Sequence, residues 1–403
     1  MPLGSRTGDA PLRVLHVITG LSVGGAETML AKLLEHGRGN PDIEQHVLSL
    51  VTPGAMLDRV SATGVSVHSL DLSRRAPNPF RVVRAIRLAR TLRPQVIVGW
   101  MYHAHLIAWL LGAFTPGARV VWNVRHSLHD TRREKPATRL VLAIAAALSR
   151  RIDHIVYNSA AAMQQYNRHG YASARQSVIP NGFDCEAFKP DAAARACLVG
   201  RLGADPASTI VGMVARSHPM KDPLTLVEAV RRARERGVDL HLVLAGSGMD
   251  RPAPNLAASL RGLPADRVTI LDHQPDVRPL LSGLDIFALP SAWGEGFPNV
   301  VAEAMACGTP CLVTDVGDSA AIVGPTGRHV PSSNVEAMAD ALLSLSSLTS
   351  VERAELAAAA RLRIEGCFSI AAIAARYDQL YRQLCSSPAR RVLFSATPVN
   401  QLV

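Results

Sequence analysis

At 403 residues the chain exceeds what one hydrophobic core ordinarily organises, so two domains are expected. A hydrophobic content of 48% with 19% charged residues excludes a disordered chain, and no apolar run reaches the roughly 20 residues that span a bilayer. The net charge of +10 is lodged in the first half: residues 1–185 carry 22 Lys and Arg against 11 Asp and Glu, residues 186–403 carry 21 against 22.

The opening stretch has no apolar run of signal-peptide shape. "LRVLHVITG" (12–20) reads as a strand buried on both faces, followed by the glycine turn and helix of "LSVGGAETMLAKLLEHG". Strand patterns recur at "EQHVLSLV", "VSVHSL", "PQVIVGW", "ARVVWNVRH" and "DHIVYNS", with helices between several of them. After "VIPNGFDCEAFKPD" the pattern restarts with "TIVGMVAR", helix "DPLTLVEAVRRARERG", then "LHLVLAG", "VTILDH", "DIFALPS" and "PCLVTD". Strands alternating with helices predict parallel sheets with right-handed crossovers. The expected fold is α/β, two Rossmann-like doubly wound domains facing across a cleft: residues 1–187, residues 188–385, and a loose tail 386–403. The terminal amphipathic helix 370–384 is free to pack back on the first domain. In such sheets ligands bind at the carboxyl ends of strands.

Phosphate chemistry has three candidate stations. Gly24 and Gly25 stand between a strand and a helix, where backbone N–H groups and the helix dipole meet an anion; a tight packing turn is the competing reading. Arg216 and Lys221, in "ARSHPMKDP", project at a strand end just before a helix, where cations oppose the dipole unless an anion justifies them. The third is "EGFPNVVAE": Pro298 is expected as the first helical residue, aiming the N–H groups of Asn299 and Val300 at an anion. Glu303 then faces the same crevice and suits ribose hydroxyls, while Glu295, on the loop, reaches a sugar beyond the diphosphate. Two acceptor carboxylates around a phosphate-binding helix start describe a nucleotide-sugar site.

With "ARSHPMKDPLTLVEA", "EGFPNVVAEAMACGTPCLVTDVGDSAAIVGPTG", "IPNGFD" and "GLSVGGAET", the chain resembles the retaining nucleotide-sugar glycosyltransferases of GT-B fold, family 4, over roughly residues 12–384. The resemblance implies donor binding in the second domain, acceptor binding in the first, and closure during turnover. On matching positions, it implies that Arg216 and Lys221 neutralise the diphosphate and assist departure, Glu303 holds the ribose, Glu295 contacts the transferred sugar and Gly25 approaches the pyrophosphate. Gly24, Gly296, Phe297, Pro298, Asn299 and Val300 complete the expected donor set. The family also places an active-site histidine after the fourth strand. Trp100 stands where many relatives carry one, so His103 is taken as the residue near the sugar, with an ordinary loop histidine as the equal alternative. His105, Arg125 and His126 are expected acceptor or sugar contacts.

No Asp-x-Asp occurs, and His103/His105 with His126/His129 form no metal pattern, so a metal-independent reaction without cofactor is expected. Six cysteines without a Cys-x-x-Cys pair read as a reduced, cytosolic chain. No carboxylate lies between Asp71 and Asp130, so front-face attack with the leaving phosphate as base is preferred over a carboxylate nucleophile. Nine arginines fill that stretch (Arg74, Arg75, Arg81, Arg84, Arg87, Arg90, Arg93, Arg119, Arg125). The basic helix 79–93 suits peripheral contact with an anionic membrane, or is simply a solvated face. The reading is therefore a hexosyltransferase using a UDP-sugar by default and a lipid-linked or saccharide acceptor, on the inner face of the cytoplasmic membrane. An epimerase of the same fold, a phosphorylase and a silent nucleotide-binding scaffold are the rivals; with 4% aromatics and no module, a nucleic-acid partner is not expected.

Overall fold

The computed structural model describes residues 10–72, 79–128 and 136–386; Arg74, Arg75, His129 and residues 387–403 of the expected tail lie outside them. Among the described residues, thirteen strands form two sheets. The first holds β1 (Leu12–Ile18), β2 (Ile43–Ser49), β3 (Ser66–Ser69), β4 (Val96–Trp100), β5 (Arg119–Val124), β6 (His154–Tyr157) and β7 (Gln176–Val178), in the order β3-β2-β1-β4-β5-β6-β7. The second holds β8 (Thr209–Val214), β9 (Leu240–Ala245), β10 (Val268–Leu271), β11 (Ile286–Leu289), β12 (Cys311–Thr314) and β13 (Arg328–Val330), in the order β10-β9-β8-β11-β12-β13. Every pairing is parallel, as expected of apolar runs joined by helices.

Each sheet is covered on both faces. In the first, one face packs on helix Gly25–His36, whose Met29, Leu30, Leu33 and Leu34 form the buried stripe. The other packs on helices Met101–Ala113, Pro136–Ser149 and Ala160–Arg168 around Trp122, Tyr157 and Tyr166. Burying such side chains stabilises by about 1.5–3 kcal/mol each. Ile373, Ala374, Tyr377, Leu380, Tyr381 and Leu384 of the last helix, Ile370–Ser386, join the first core although the chain has already built the second.

The two crossings between domains run side by side. Phe183 N donates to Phe368 O at 2.9 Å and Ile370 N to Phe183 O at 2.8 Å. At Gly182 a Cβ would fall 3.0 Å from the Ile370 backbone, so a larger residue would push the crossings apart by a few tenths of an ångström. β7 and β13, three residues each, carry no alternating pattern and escape a sequence reading.

Candidate active site

The carboxyl edge of the second sheet gathers the loops after β8, β11 and β12 with the start of helix Asn299–Ala306. Backbone bonds weld them: Ala292 N to Met220 O at 2.8 Å, Asp318 N to Gly296 O at 2.9 Å, and Ser217 N to Ser247 O at 2.9 Å. Gly317 has φ 64°, and a Cβ there would stand 2.4 Å from Glu295 O; glycine is required for this loop to cradle Glu295. The "AGSG" run braces the same corner, since a Cβ on Gly246 would meet Ala215 O at 2.1 Å.

Lys221 closes a short turn, Pro219–Lys221, capped by His218. The next residue, Asp222 (φ 45°), starts helix Pro223–Glu235 by accepting from Thr225 N at 3.3 Å and Thr225 Oγ1 at 2.6 Å. Held between two starts, Lys221 Nζ donates to Glu295 Oε1 at 2.5 Å, and Ser291 Oγ donates to the same oxygen at 2.5 Å. Sequence reasoning sends Lys221 to the diphosphate and Glu295 to the sugar; here they are one pair, Glu295 buried and Lys221 mostly so. Arg216, two residues beyond β8, is exposed and forms no ion pair among the described residues.

Pro298 is corrected by one position: it caps the helix with ψ 102°, and Asn299 is the first helical residue. The pyrrolidine still fixes φ at −74°, and Val301 N turns back to Pro298 O at 3.2 Å. Phe297 is corrected more sharply. It is buried, 5.9 Å from the Phe183 ring and 5.6 Å from Phe368, so its side chain belongs to the second core and not to a ligand. Val300 is half-buried beside it. Glu303 is half-buried; burial raises its carboxyl pKa, opposed by the charge of Lys32. Lys32 comes from helix Gly25–His36 of the first domain, donates to Gly182 O at 3.3 Å and lies 5.1 Å over the Phe183 ring.

The first domain supplies the facing edge. A Cβ on Gly25 meets nothing within 4 Å, so packing does not demand glycine there; Gly24, extended at φ −162°, is the cap residue before the helix. Met101 takes φ 68° where β4 breaks directly into helix Met101–Ala113, a strained joint of the kind found at functional edges. That joint exposes His103, ring to ring with Tyr102 at 5.0 Å. His105 turns the other way: it is 1% exposed, stacks on Trp122 at 5.0 Å and meets Asn123 O through Nε2 at 3.2 Å. It is a core histidine with its pKa lowered by burial to about 3, which removes it from the expected sugar contacts. His126 is exposed at the end of β5. The Arg125 guanidinium turns inward to Tyr377 and Asn181.

A contact between the two edges runs through Asp318. The Asp318 carboxylate accepts from Ala160 N at 2.8 Å and Ala161 N at 3.0 Å, capping helix Ala160–Arg168 of the other domain. Gly296 faces Ser159 and Ser127 there; a Cβ on it would lie 3.5 Å from Ser159 Oγ. Sequence reasoning missed Lys32, Ser291 and Asp318 as members of this site. Asp318 lies inside the quoted "TDVGDSA" run, whereas nothing in the sequence sets Lys32 apart from a surface lysine of its helix.

Two family models match the chain: "Glycosyltransferase Family 4" over residues 23–187 and "Glycosyl transferases group 1" over residues 208–347. EpsF of Bacillus subtilis (strain 168), named a glycosyltransferase, is 29% identical over 334 residues, 75% of this chain and 79% of its own length. The D-inositol 3-phosphate glycosyltransferase of Nocardia farcinica (strain IFM 10152) is 34% identical over 268 residues, 60% of this chain; the chain spans little more than half of that relative, 57%. Among solved structures, Anabaena HepE in complex with UDP superposes with a TM-score of 0.78 at 19% identity, covering 92% of this chain and all of that one. Sucrose-phosphate synthase of Thermosynechococcus elongatus does so at 0.69 and 22%, over 92% of this chain and 99% of its own. At such identities the likeness speaks for the fold, which is GT-B. With each half matched by a glycosyltransferase model and the two sheets set as in GT-B enzymes, the chain belongs to glycosyltransferase family 4.

Proposed function

We propose that the protein transfers a hexose-type sugar, with retention and without a metal, from a nucleotide-diphosphate sugar to a lipid-linked or saccharide acceptor in surface polysaccharide, lipopolysaccharide or glycolipid synthesis. The observation that carries this reading is the second domain's edge: Arg216 exposed, Lys221 held on Glu295, and the start of helix Asn299–Ala306 four residues beyond Glu295. Charge growing on the departing diphosphate meets two cations and a dipole already in place, the preorganisation that lowers such barriers most. Breaking the anomeric C–O bond leaves the electron pair on the diphosphate. The acceptor hydroxyl forms the new bond on the same face and gives its proton to a phosphate oxygen. Glu303 receives the ribose hydroxyls, and UDP is the default carrier, as in the HepE complex.

The membrane reading gains a second element. Helix Pro79–Leu92 exposes Phe80 and Val83 beside Arg84 and Arg87, and helix Pro136–Ser149 exposes Leu140 and Ile144; both pack on helix Met101–Ala113. Apolar tips among arginines suit shallow insertion into an anionic leaflet. No helix of the described residues is long and apolar enough to cross a membrane.

The donor test is thermal stabilisation by UDP-, GDP- and ADP-sugars, on wild type and on Glu303→Ala, because a ligand binding only the folded state raises its melting point. One nucleotide sugar should stabilise the wild type and leave the variant unmoved. No stabilisation of a folded wild type by any of them would remove the donor reading. Addition of EDTA to a turnover assay should leave the rate unchanged; a metal-restored loss would overturn the metal-independent route.

A further inference from the structure

Arg125, one residue beyond β5, has no carboxylate partner among the described residues. Its Nη1 donates to Asn181 Oδ1 at 2.7 Å and its Nη2 to the Tyr377 hydroxyl at 2.5 Å. The cation lies 5.5 Å from the Trp100 ring centre and 5.9 Å from that of Tyr377, and its Nε is buried without a partner. Sheltering a guanidinium this way costs free energy that an apolar side chain of similar length avoids. The fork therefore has to hold something. Asn181 shows what: its Nδ2 donates to Asn299 Oδ1 at 2.6 Å. Arginine can only donate, so Asn181 must present its oxygen to Arg125 and its nitrogen to Asn299; the chain of contacts has one sense. Asn299 is the first residue of helix Asn299–Ala306, the helix that the donor reading assigns to the diphosphate.

We propose that Arg125 is a positioning residue for the donor: through Asn181 it fixes Asn299 and the first turn of the phosphate-receiving helix, so the acceptor-side domain sets the geometry of the donor site. This rests on the donor reading above. It differs from a direct contact of Arg125 with acceptor or sugar, because Arg125 acts on the opposite domain and on the opposite substrate.

The test measures Kd for UDP, GDP and ADP, by calorimetric titration, on wild type, Arg125→Met, Asn181→Leu and the double variant, with melting points to check folding. For the nucleotide that wild type binds, each single variant should weaken binding about tenfold, the scale of one lost charge-assisted contact. The double variant should be no worse than the worse single, because the contacts are in series. Asn181→Asp should restore binding, since the Asn299 amide can turn its nitrogen toward a carboxylate. Should Arg125→Met fail to fold, Asn299→Ala must reproduce the loss. Wild-type affinity in Arg125→Met with a raised acceptor KM, additive losses in the double variant, or lowered melting points at unchanged Kd would each overturn the relay. A folded wild type that binds none of the three nucleotides would instead remove the donor reading on which the relay rests.

Discussion

The two edges of the cleft hold their sheltered cations, Lys221 and Arg125, in opposite ways. In the second domain Lys221 is answered by a carboxylate, Glu295, steadied by Ser291. The buried Asp285 of the same domain is likewise answered, by Arg195 at 2.9 Å and Arg353 at 3.0 Å. In the first domain Arg125 is answered by an amide, a phenol and two aromatic faces. A compensated pair can exchange its partner for a phosphate when substrate arrives; a cation locked among neutral groups is suited to holding a neighbour. On the proposed reaction, the difference would separate a charge that acts from a charge that supports.

The largest expected effect breaks the acting side. Lys221→Met should lower kcat about 10²–10³-fold, the scale of removing one preorganised donor to developing negative charge, with little change in acceptor KM. A rate within a few-fold of wild type would show that Lys221 serves Glu295 structurally.

A smaller effect is expected at Lys32, which reaches between domains. Burial raises the Glu303 carboxyl above its ordinary pKa of 4.5 and Lys32 opposes the rise. Removing Lys32 therefore raises it further. Lys32→Met should move the acid limb of donor binding to higher pH and weaken binding several-fold on that limb. A superimposable pH profile would exclude the coupling. In folding, a carboxyl with raised pKa contributes most below pH 4.5, and that contribution is lost as pH rises through its folded value.

A further expected effect concerns acid and stability, not turnover. Burial lowers His16 to about 4 and His105 to about 3, both in the first domain, where Trp100 Nε1 donates to His16 Nδ1 at 3.2 Å. A base with depressed folded pKa contributes stability above its ordinary value of 6.5, lost as pH falls toward its folded value. At pH 5 each of these two histidines costs roughly 2 kcal/mol against neutrality. Hydrogen exchange at pH 5 and pH 7.5, corrected for intrinsic rates, should show β1, β4 and β5 losing more protection than β8, β9 and β12. Equal losses would contradict the comparison.

How much of this is legible in the sequence follows the same division. The second domain's chemistry sits on loops that announce themselves: a proline after Glu295-Gly-Phe, a lysine before a helix, glycines at turns. Even there the Lys221–Glu295 pairing is hidden, because it depends on two strand ends meeting. On the first domain's edge, residues alternate between cleft and core every position or two. His103 and His105, two apart, point to opposite sides because the helix begins at Met101 with no intervening loop. That start depends on a left-handed residue no pattern predicts at methionine. The strands emerge because parallel sheets are covered on both faces, and the two that escape, β7 and β13, are short edges.

The most direct measurement of the central claim is calorimetric titration of the donor's nucleoside diphosphate into wild type, Arg216→Ala and His126→Ala. These exposed side chains stand on opposite edges of the cleft. Donor recognition by the second domain predicts that Arg216→Ala weakens binding about tenfold or more while His126→Ala stays within about twofold of wild type. A loss confined to His126→Ala would contradict it and move the diphosphate station to the first domain.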